Sequence, residues 1–155
     1  MSYRTWSIDG FGFCVDNIET TMERALKLAA LNEETYEDLK DYINDIREEA
    51  GFTEEDGYTD EDITIDFIDE FEGNYGERGL TTILREVISQ ELPVAFADDF
   101  DGTDFILYCP SYPWGLNANE KNLTKQDVVN IFNKYLSILT DEPIELDYYS
   151  VENGG

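Results

Sequence analysis

The residues best equipped for chemistry in this sequence are carboxylates. The stretch TEEDGYTDEDITIDFIDEFE, residues 53 to 72, holds ten acidic side chains and neither lysine nor arginine. Half of the chain's 36 acids fall between Glu33 and Glu72, where Lys40 and Arg47 are the only bases, so that segment carries −16 of a net charge of −26. Carboxylates so concentrated serve one of three ends: they hold hard cations, they share out protons as general acid and base, or they match a basic surface.

The first two ends lack the companions they need. The chain has no histidine, which removes the commonest general base, the usual activator of a serine or cysteine nucleophile, and the usual nitrogen ligand for zinc. Cys14 and Cys109 are distant and sit in apolar contexts, GFGFCV and FILYCP, which suits two buried free thiols better than a disulfide or a metal site. DGFGF is too short for a dinucleotide fingerprint, and no phosphate loop is present. An EF-hand needs early acids, a central glycine and a closing glutamate. Taking Gly102 as that glycine starts the loop at Ala97 and ends it at Tyr108, while taking Gly57 starts it at Phe52 and ends it at Ile63. Asp98, Asp99, Asp101 and Asp104 therefore read as a solvated hairpin tip. No enzyme, cofactor or metal is expected.

The third end has a pattern behind it. Glu34, Asp38, Asp41, Asp45 and Glu48 recur every third or fourth residue, so in a helix they form one stripe opposite the apolar stripe of Tyr36, Leu39, Ile43, Ile46 and Ala50. At about 1.5 Å per residue such a stripe sets a charge about every 5 Å on a rigid support. A protein cleft lined by Lys and Arg for phosphates accepts that geometry. Solubility alone is the competing explanation, but a solvated helix face usually mixes signs through i,i+4 pairs, and here that relief is nearly absent. Glu54, Glu55, Asp56, Asp60, Asp62, Asp66 and Asp69 would extend the row. Tyr58 and Trp114, with Tyr75 and Tyr112, are amphipathic aromatics in loop contexts and the candidate anchors of an interface.

The elements that must carry these residues read as α+β. With 41 % hydrophobic and 14 % aromatic residues, the chain has the material for a core despite its charge, and its length allows about 70 % of the unfolded surface to be buried. One domain spanning residues 1 to 155 is expected, with a small, mostly antiparallel sheet and about four to five helices. YRTWSIDGFGFCV reads as a short strand pair or a bent strand. TTMERALKLAAL and NEETYEDLKDYINDIREEAG read as helices, the first with Met22, Leu26, Ala29 and Ala30 inward, and Thr53 and Thr59 as later caps. DEDITIDFIDEFEG places Ile63, Phe67, Ile68 and Phe71 at helical spacing, and LTTILREVISQ follows as a short helix after the loop GNYGERG. A hairpin, 93–98 and 103–109, turns at Asp101-Gly102. Thr124 with Asp127 caps TKQDVVNIFNKYLSIL, Pro143 ends it, and IELDYYSV is a last strand in which one of Tyr148 and Tyr149 should be buried. No long apolar run and no leader pattern is present, so a cytoplasmic location without membrane contact is expected.

In size, acidity and lack of histidine, the chain resembles the phage-encoded DNA mimics, among them anti-CRISPR proteins that occupy the nucleic-acid or PAM-reading cleft of an RNA-guided nuclease. The resemblance rests on residues 33 to 72. It implies a non-enzymatic inhibitor acting inside a bacterial host cell, whose carboxylates compete for the arginines with which a basic nucleic-acid-binding protein, such as a nuclease, reads phosphates or PAM bases. Direct binding to nucleic acid is not expected of so acidic a surface. An immunity protein against a basic nuclease toxin, and an acidic adaptor for some other basic protein, share the same sequence features. A carboxylate-metal enzyme remains the remaining class, and calorimetric titration with Mg²⁺ or Mn²⁺ separates it: the inhibitor reading expects no binding heat and no rise in melting temperature, whereas a metal enzyme expects both.

Overall fold

A computed structural model describes residues 5–49, 65–73, 76–99, 102–108 and 124–154. Four strands form an antiparallel sheet: β1 (Thr5–Cys14), β2 (Ala95–Asp98), β3 (Asp104–Tyr108) and β4 (Asp147–Gly154), in the order β2-β3-β1-β4. Four α-helices are described with it: α1 (Met22–Ala29), α2 (Glu33–Glu49), α3 (Leu80–Ile88) and α4 (Lys125–Leu139). The fold is α+β. Short 3-10 turns occupy Val15–Asn17 and Ile65–Ile68. No described helix is long and apolar enough to cross a membrane.

The N-terminal segment is one ten-residue strand rather than a strand pair. Asp9-Gly10 reads as a turn only in isolation; here the sheet partners on both sides of β1 carry the chain straight through, with Gly12 opposite Leu107 on one side and Asp147 on the other. Gly12 is needed for closeness. A β carbon there would fall 1.9 Å from the Ile106 carbonyl oxygen. The sheet also curls: β2 and β4 lie at opposite ends of the strand order, about 14 Å apart in a flat sheet, yet come within 8 Å of each other. Their approach closes a small apolar cluster of Ala97, Leu107 and Val151, flanked by Ile8, Phe105 and Tyr149.

The main core lies on the other face. Phe11, Phe13, Ile106 and Tyr108 meet Phe132 of α4 and the apolar sides of α1 and α3, and the Phe13 and Phe132 rings meet edge to face with centroids 5.4 Å apart. In α1 the buried side is Met22, Ala25, Leu28 and Ala29. Leu26 is only partly buried, Ala30 is exposed and Leu31 is 48 % exposed: Leu26 stands at the edge of the buried side, and Ala30 and Leu31 fall at and beyond the C-cap, where the helical period no longer places them inward. The α4 capping box forms as expected, with Thr124 Oγ1 accepting from the Asp127 amide at 3.1 Å and Asp127 Oδ2 accepting from the Thr124 amide at 2.9 Å. At the β2–β3 turn Gly102 adopts φ +82°, and Asp99 Oδ1 accepts from the Thr103 amide at 2.9 Å.

The segment expected to be helical around Phe67 and Phe71 is, in its described part, a single 3-10 turn that leads into an isolated bridge between Glu72 and Arg78. Its apolar spacing still serves burial: Ile68 and Phe71 both enter the core. Residues Thr53, Thr59, Ile63 and Cys109 lie outside the described residues, while Cys14 is buried as a free thiol whose pKa is raised by burial. Tyr149 is the more sheltered of the C-terminal tyrosines, its ring 5.1 Å from Phe105, and Tyr148 is 64 % exposed. Gly12→Ala is expected to lower stability by about 1–3 kcal/mol, as overpacking does, read as a fall in the urea midpoint; an unchanged midpoint would mean that β1 and β3 are not held so close.

Candidate acidic interface

α2 is the outlying helix. It packs on α1, on α3 and on the Ile65–Ile68 turn, through buried Thr35, Leu39 and Ile43 and the partly buried Tyr36, Tyr42 and Ile46. Its start is set by Asn32, whose Oδ1 accepts from the Thr35 amide at 3.2 Å. The opposite side faces solvent. Glu34, Asp38, Asp41, Asp45 and Glu48 are all exposed, in a row of about 21 Å at the helical rise. Glu33 and Glu37 flank that row and are exposed too.

None of the five has an ion-pair partner among the described residues, because the described cations are engaged elsewhere. Arg24 holds Asp141 at 2.6 Å, Lys27 holds Glu23 at 3.7 Å, Arg78 holds Glu72 at 3.6 Å and Lys134 holds Glu91 at 2.9 Å. Lys40, although on α2, lies over the Tyr36 ring at 5.7 Å, and Lys125 lies 5.4 Å from both the Phe11 and Tyr148 rings. Glu48 also stands in the last turn of α2, where the macrodipole disfavours an anion by about 0.3–1 kcal/mol. Stability alone does not account for the row.

At its N-terminal end the row meets a second acidic element. Glu34 and Asp38 share a cleft of about 360 Å³ with Glu72 and Glu86. The floor of the cleft holds Arg85, whose Nε donates to Glu77 Oε1 at 2.7 Å, and whose Nη2 lies 3.9 Å from Glu86 Oε1. Glu77 is fully buried and Arg85 nearly so. Glu86 Oε2 in turn accepts from the Thr35 hydroxyl at 2.6 Å, across 51 residues of sequence. Gly73 lies against this pair, since a β carbon there would fall 1.8 Å from Glu77 Oε1, and its amide donates to the Glu77 carbonyl at 2.8 Å.

A second cavity, about 430 Å³, opens between the first 3-10 turn and the start of α3, with Asp16, Asp69, Asp104 and Arg78 among its walls. Asp104 Oδ2 accepts from the Thr81 hydroxyl at 3.0 Å. Burial pushes the Asp104 carboxyl above its ordinary pKa; the Thr81 hydrogen bond opposes this, and Asp16, Asp98 and Asp99 add to it. On the other side of the molecule, the Glu91 carboxyl is held below its ordinary range by hydrogen bonds from the Tyr135 hydroxyl at 2.6 Å and from Lys134. No group of three or more His, Cys, Asp or Glu side chains among the described residues is placed to hold a metal ion.

Of the residues singled out in the sequence, the structure brings Glu34 and Asp38 into the cleft and sets Asp41, Asp45 and Glu48 in line with them. Asp69 lies apart, on the second cavity. Asp66 belongs to the Ile65–Ile68 turn. Glu54, Glu55, Asp56, Tyr58, Asp60, Asp62 and Trp114 lie outside the described residues, as do Tyr75 and Tyr112. The sequence placed Glu72 at the end of its acidic block, but it did not single out Glu86 or Arg85, which share no spacing with α2 and meet it only in three dimensions. No protein family, curated protein or solved structure matches the chain.

Two outcomes follow from these charges. Arg85→Met removes the ion pair from fully buried Glu77 and is expected to cost about 3–5 kcal/mol, measured by denaturant unfolding; a loss under about 1 kcal/mol would show that other groups compensate the Glu77 charge. For Asp104 the raised folded-state pKa means that the folded protein binds more protons than the unfolded one between the ordinary and the raised value. Stability therefore falls as pH rises through that window and stays lower above it. Asp104→Asn, which can still accept from Thr81, should raise the melting temperature at neutral pH. That gain should fade as pH drops below the ordinary Asp value of 3.8; a gain independent of pH would assign it to something other than the carboxylate.

Proposed function

We propose that the chain is a non-enzymatic inhibitor whose α2 face binds a basic, nucleic-acid-handling protein in the place of nucleic acid. The observation that carries this reading is the row Glu34, Asp38, Asp41, Asp45 and Glu48, exposed and without ion-pair partners among the described residues. A straight row of fixed anions about 21 Å long is what a Lys- and Arg-lined nucleic-acid cleft binds on a phosphate backbone. Carboxylates also offer arginine the paired oxygens that its fork geometry prefers. Steering by the net charge of −26 gives fast association that salt slows. An RNA-guided nuclease or a nuclease toxin is the kind of target this face suits.

The test compares two charge reversals of equal size. One is Asp38, Asp41 and Asp45, all to Lys. The control is Glu142, Glu145 and Asp147, all to Lys, which are exposed and lie on the connection from α4 to β4 and at the first residue of β4. Asp141 is unsuitable as a control because it anchors Arg24. In affinity capture from nuclease-treated bacterial lysate, the wild type should retain a nucleic-acid enzyme that duplex DNA displaces. The α2 triple should lose that capture about tenfold or more and the control change it by less than about twofold. Equal losses would remove the localised face, and a partner indifferent to DNA would replace mimicry with an adaptor role.

A further inference from the structure

The carboxylates at the β2–β3 turn are not the solvated tip that their sequence suggests. Asp98, Asp99 and Asp104 are each only partly exposed. Asp98 and Asp104 are the last paired residues of the β2–β3 ladder, and they share the sheet face of Ile106, because side chains two residues apart point the same way. The Asp99 amide donates to the Thr103 carbonyl at 3.1 Å, which makes Asp98 and Asp104 a non-hydrogen-bonded pair, the kind whose side chains stand closest, with β carbons about 4.5–5.5 Å apart. Two carboxylates therefore face each other directly across the ladder.

Asp104 also touches a third element. The buried Thr81 hydroxyl donates to its Oδ2 at 3.0 Å. Gly79 gives α3 no side-chain cap and its first turn holds no acid, so Asp104 supplies a carboxylate to the start of α3 from a strand 23 residues away. That position favours the ionised form. The other groups around it favour the proton: Asp98 across the ladder, Asp99 at the turn, Asp16 on the first 3-10 turn, and burial. Glu19, Asp69 and Arg78 stand elsewhere on the cavity wall, and Arg78 is engaged with Glu72 at 3.6 Å. From β1 the nearest titratable group is the Cys14 thiol, opposite Phe105, which burial keeps neutral.

We infer that Asp98 and Asp104 are a proton-sharing pair that makes the end of the β2–β3 hairpin a pH-dependent clasp on α3. When the pair takes up one proton from solvent, a carboxyl–carboxylate hydrogen bond joins β2 to β3, and Asp104 still accepts from Thr81. When both are ionised, like charges stand opposite each other, which destabilises a strand pair, and the hairpin end loosens. Asp98 makes a further interaction as well; the clasp requires only that one of its oxygens face Asp104. Because the proton belongs to the pair, changing either residue changes the titration of the other. The clasp tightens as pH falls through the raised Asp104 value and is released above it. It is independent of the reading of the α2 face.

The experiment follows the side-chain carboxyl carbons of the full chain by NMR across the acid range, together with exchange of the Asp99 amide relative to that of Leu107 in mid-strand, corrected for the intrinsic pH dependence of exchange. In the wild type, Asp104 should titrate above the ordinary value of 3.8, and the relative protection of Asp99 should rise about fivefold as pH falls through that midpoint. In D98N the Asp104 midpoint should fall, because the amide donates to the carboxylate without needing a proton. D98N and D104N, each an isosteric stand-in for the protonated pair, should hold Asp99 protected at every pH. D98A relieves the repulsion without offering the hydrogen bond and should protect Asp99 less than D98N does. An Asp104 midpoint equal in wild type and D98N, Asp99 protection that does not move with pH in the wild type, or protection in D104N that still follows pH would each overturn the inference. Equal protection in D98A and D98N would also overturn it, by reducing the pair to simple repulsion.

Discussion

A fully buried glutamate against a nearly buried arginine is the contact on which the acid-rich half of this molecule depends. Glu77 has no exposure at all and Arg85 lies 2.7 Å from it, so each offsets part of the desolvation cost that the other incurs. From that pair the structure reaches outward in three directions: to Gly73, which has no side chain because the carboxylate occupies that space; to Glu86 on the same helix; and through Glu86 to Thr35 on α2. The remaining described ion pairs are more exposed, and such pairs contribute little on their own. Their importance lies in where they are spent, tying α1 to the end of α4 and α4 to the end of α3, away from the exposed side of α2.

That distribution separates two ways of being acidic. A chain carrying −26 for solubility alone would scatter its few cations among its acids, since each i,i+4 pair relieves repulsion. Here Lys27 with Glu23 is one such pair, while Arg24, Arg78 and Lys134 each reach an acid off α2 and Lys40 lies over the Tyr36 ring, which leaves Glu34, Asp38, Asp41, Asp45 and Glu48 without an ion-pair partner among the described residues. The core underneath is ordinary: a curled four-stranded sheet, three helices against one face, and aromatic pairs such as Phe13 with Phe132. The charge is uneven along the chain, with −16 of the net −26 between Glu33 and Glu72, the segment that contains this outlying helix.

Much of this was legible along the chain. The two stripes of α2 follow from period alone, and Leu39 and Ile43 are buried and Asp38, Asp41 and Asp45 exposed because a helix has no other way to place them. The Thr124–Asp127 box announced the start of α4, and Gly102 the β2–β3 turn. For the N-terminal segment local chemistry left a strand pair and a bent strand both open, because Asp9-Gly10 and Gly12 are turn or bulge residues; long-range pairing with β3 and β4 makes it one strand, and Gly12 is there for the close approach of Ile106. The helical spacing near Phe71 was a true signal of burial and a false one of helix, since a 3-10 turn followed by a bridge buries Ile68 and Phe71 equally well.

By itself, then, the sequence determined the periodic properties: which side of each helix is apolar, where caps and turns fall, and that α2 carries a row of anions. These depend only on bond geometry within a few residues. The tertiary structure decided what is not periodic: that Arg85 lies between Glu77 and Glu86, and that Glu72 joins Glu34 and Asp38 at one cleft. Coulomb attraction and desolvation act through space between residues tens of positions apart, and a linear pattern does not contain those distances.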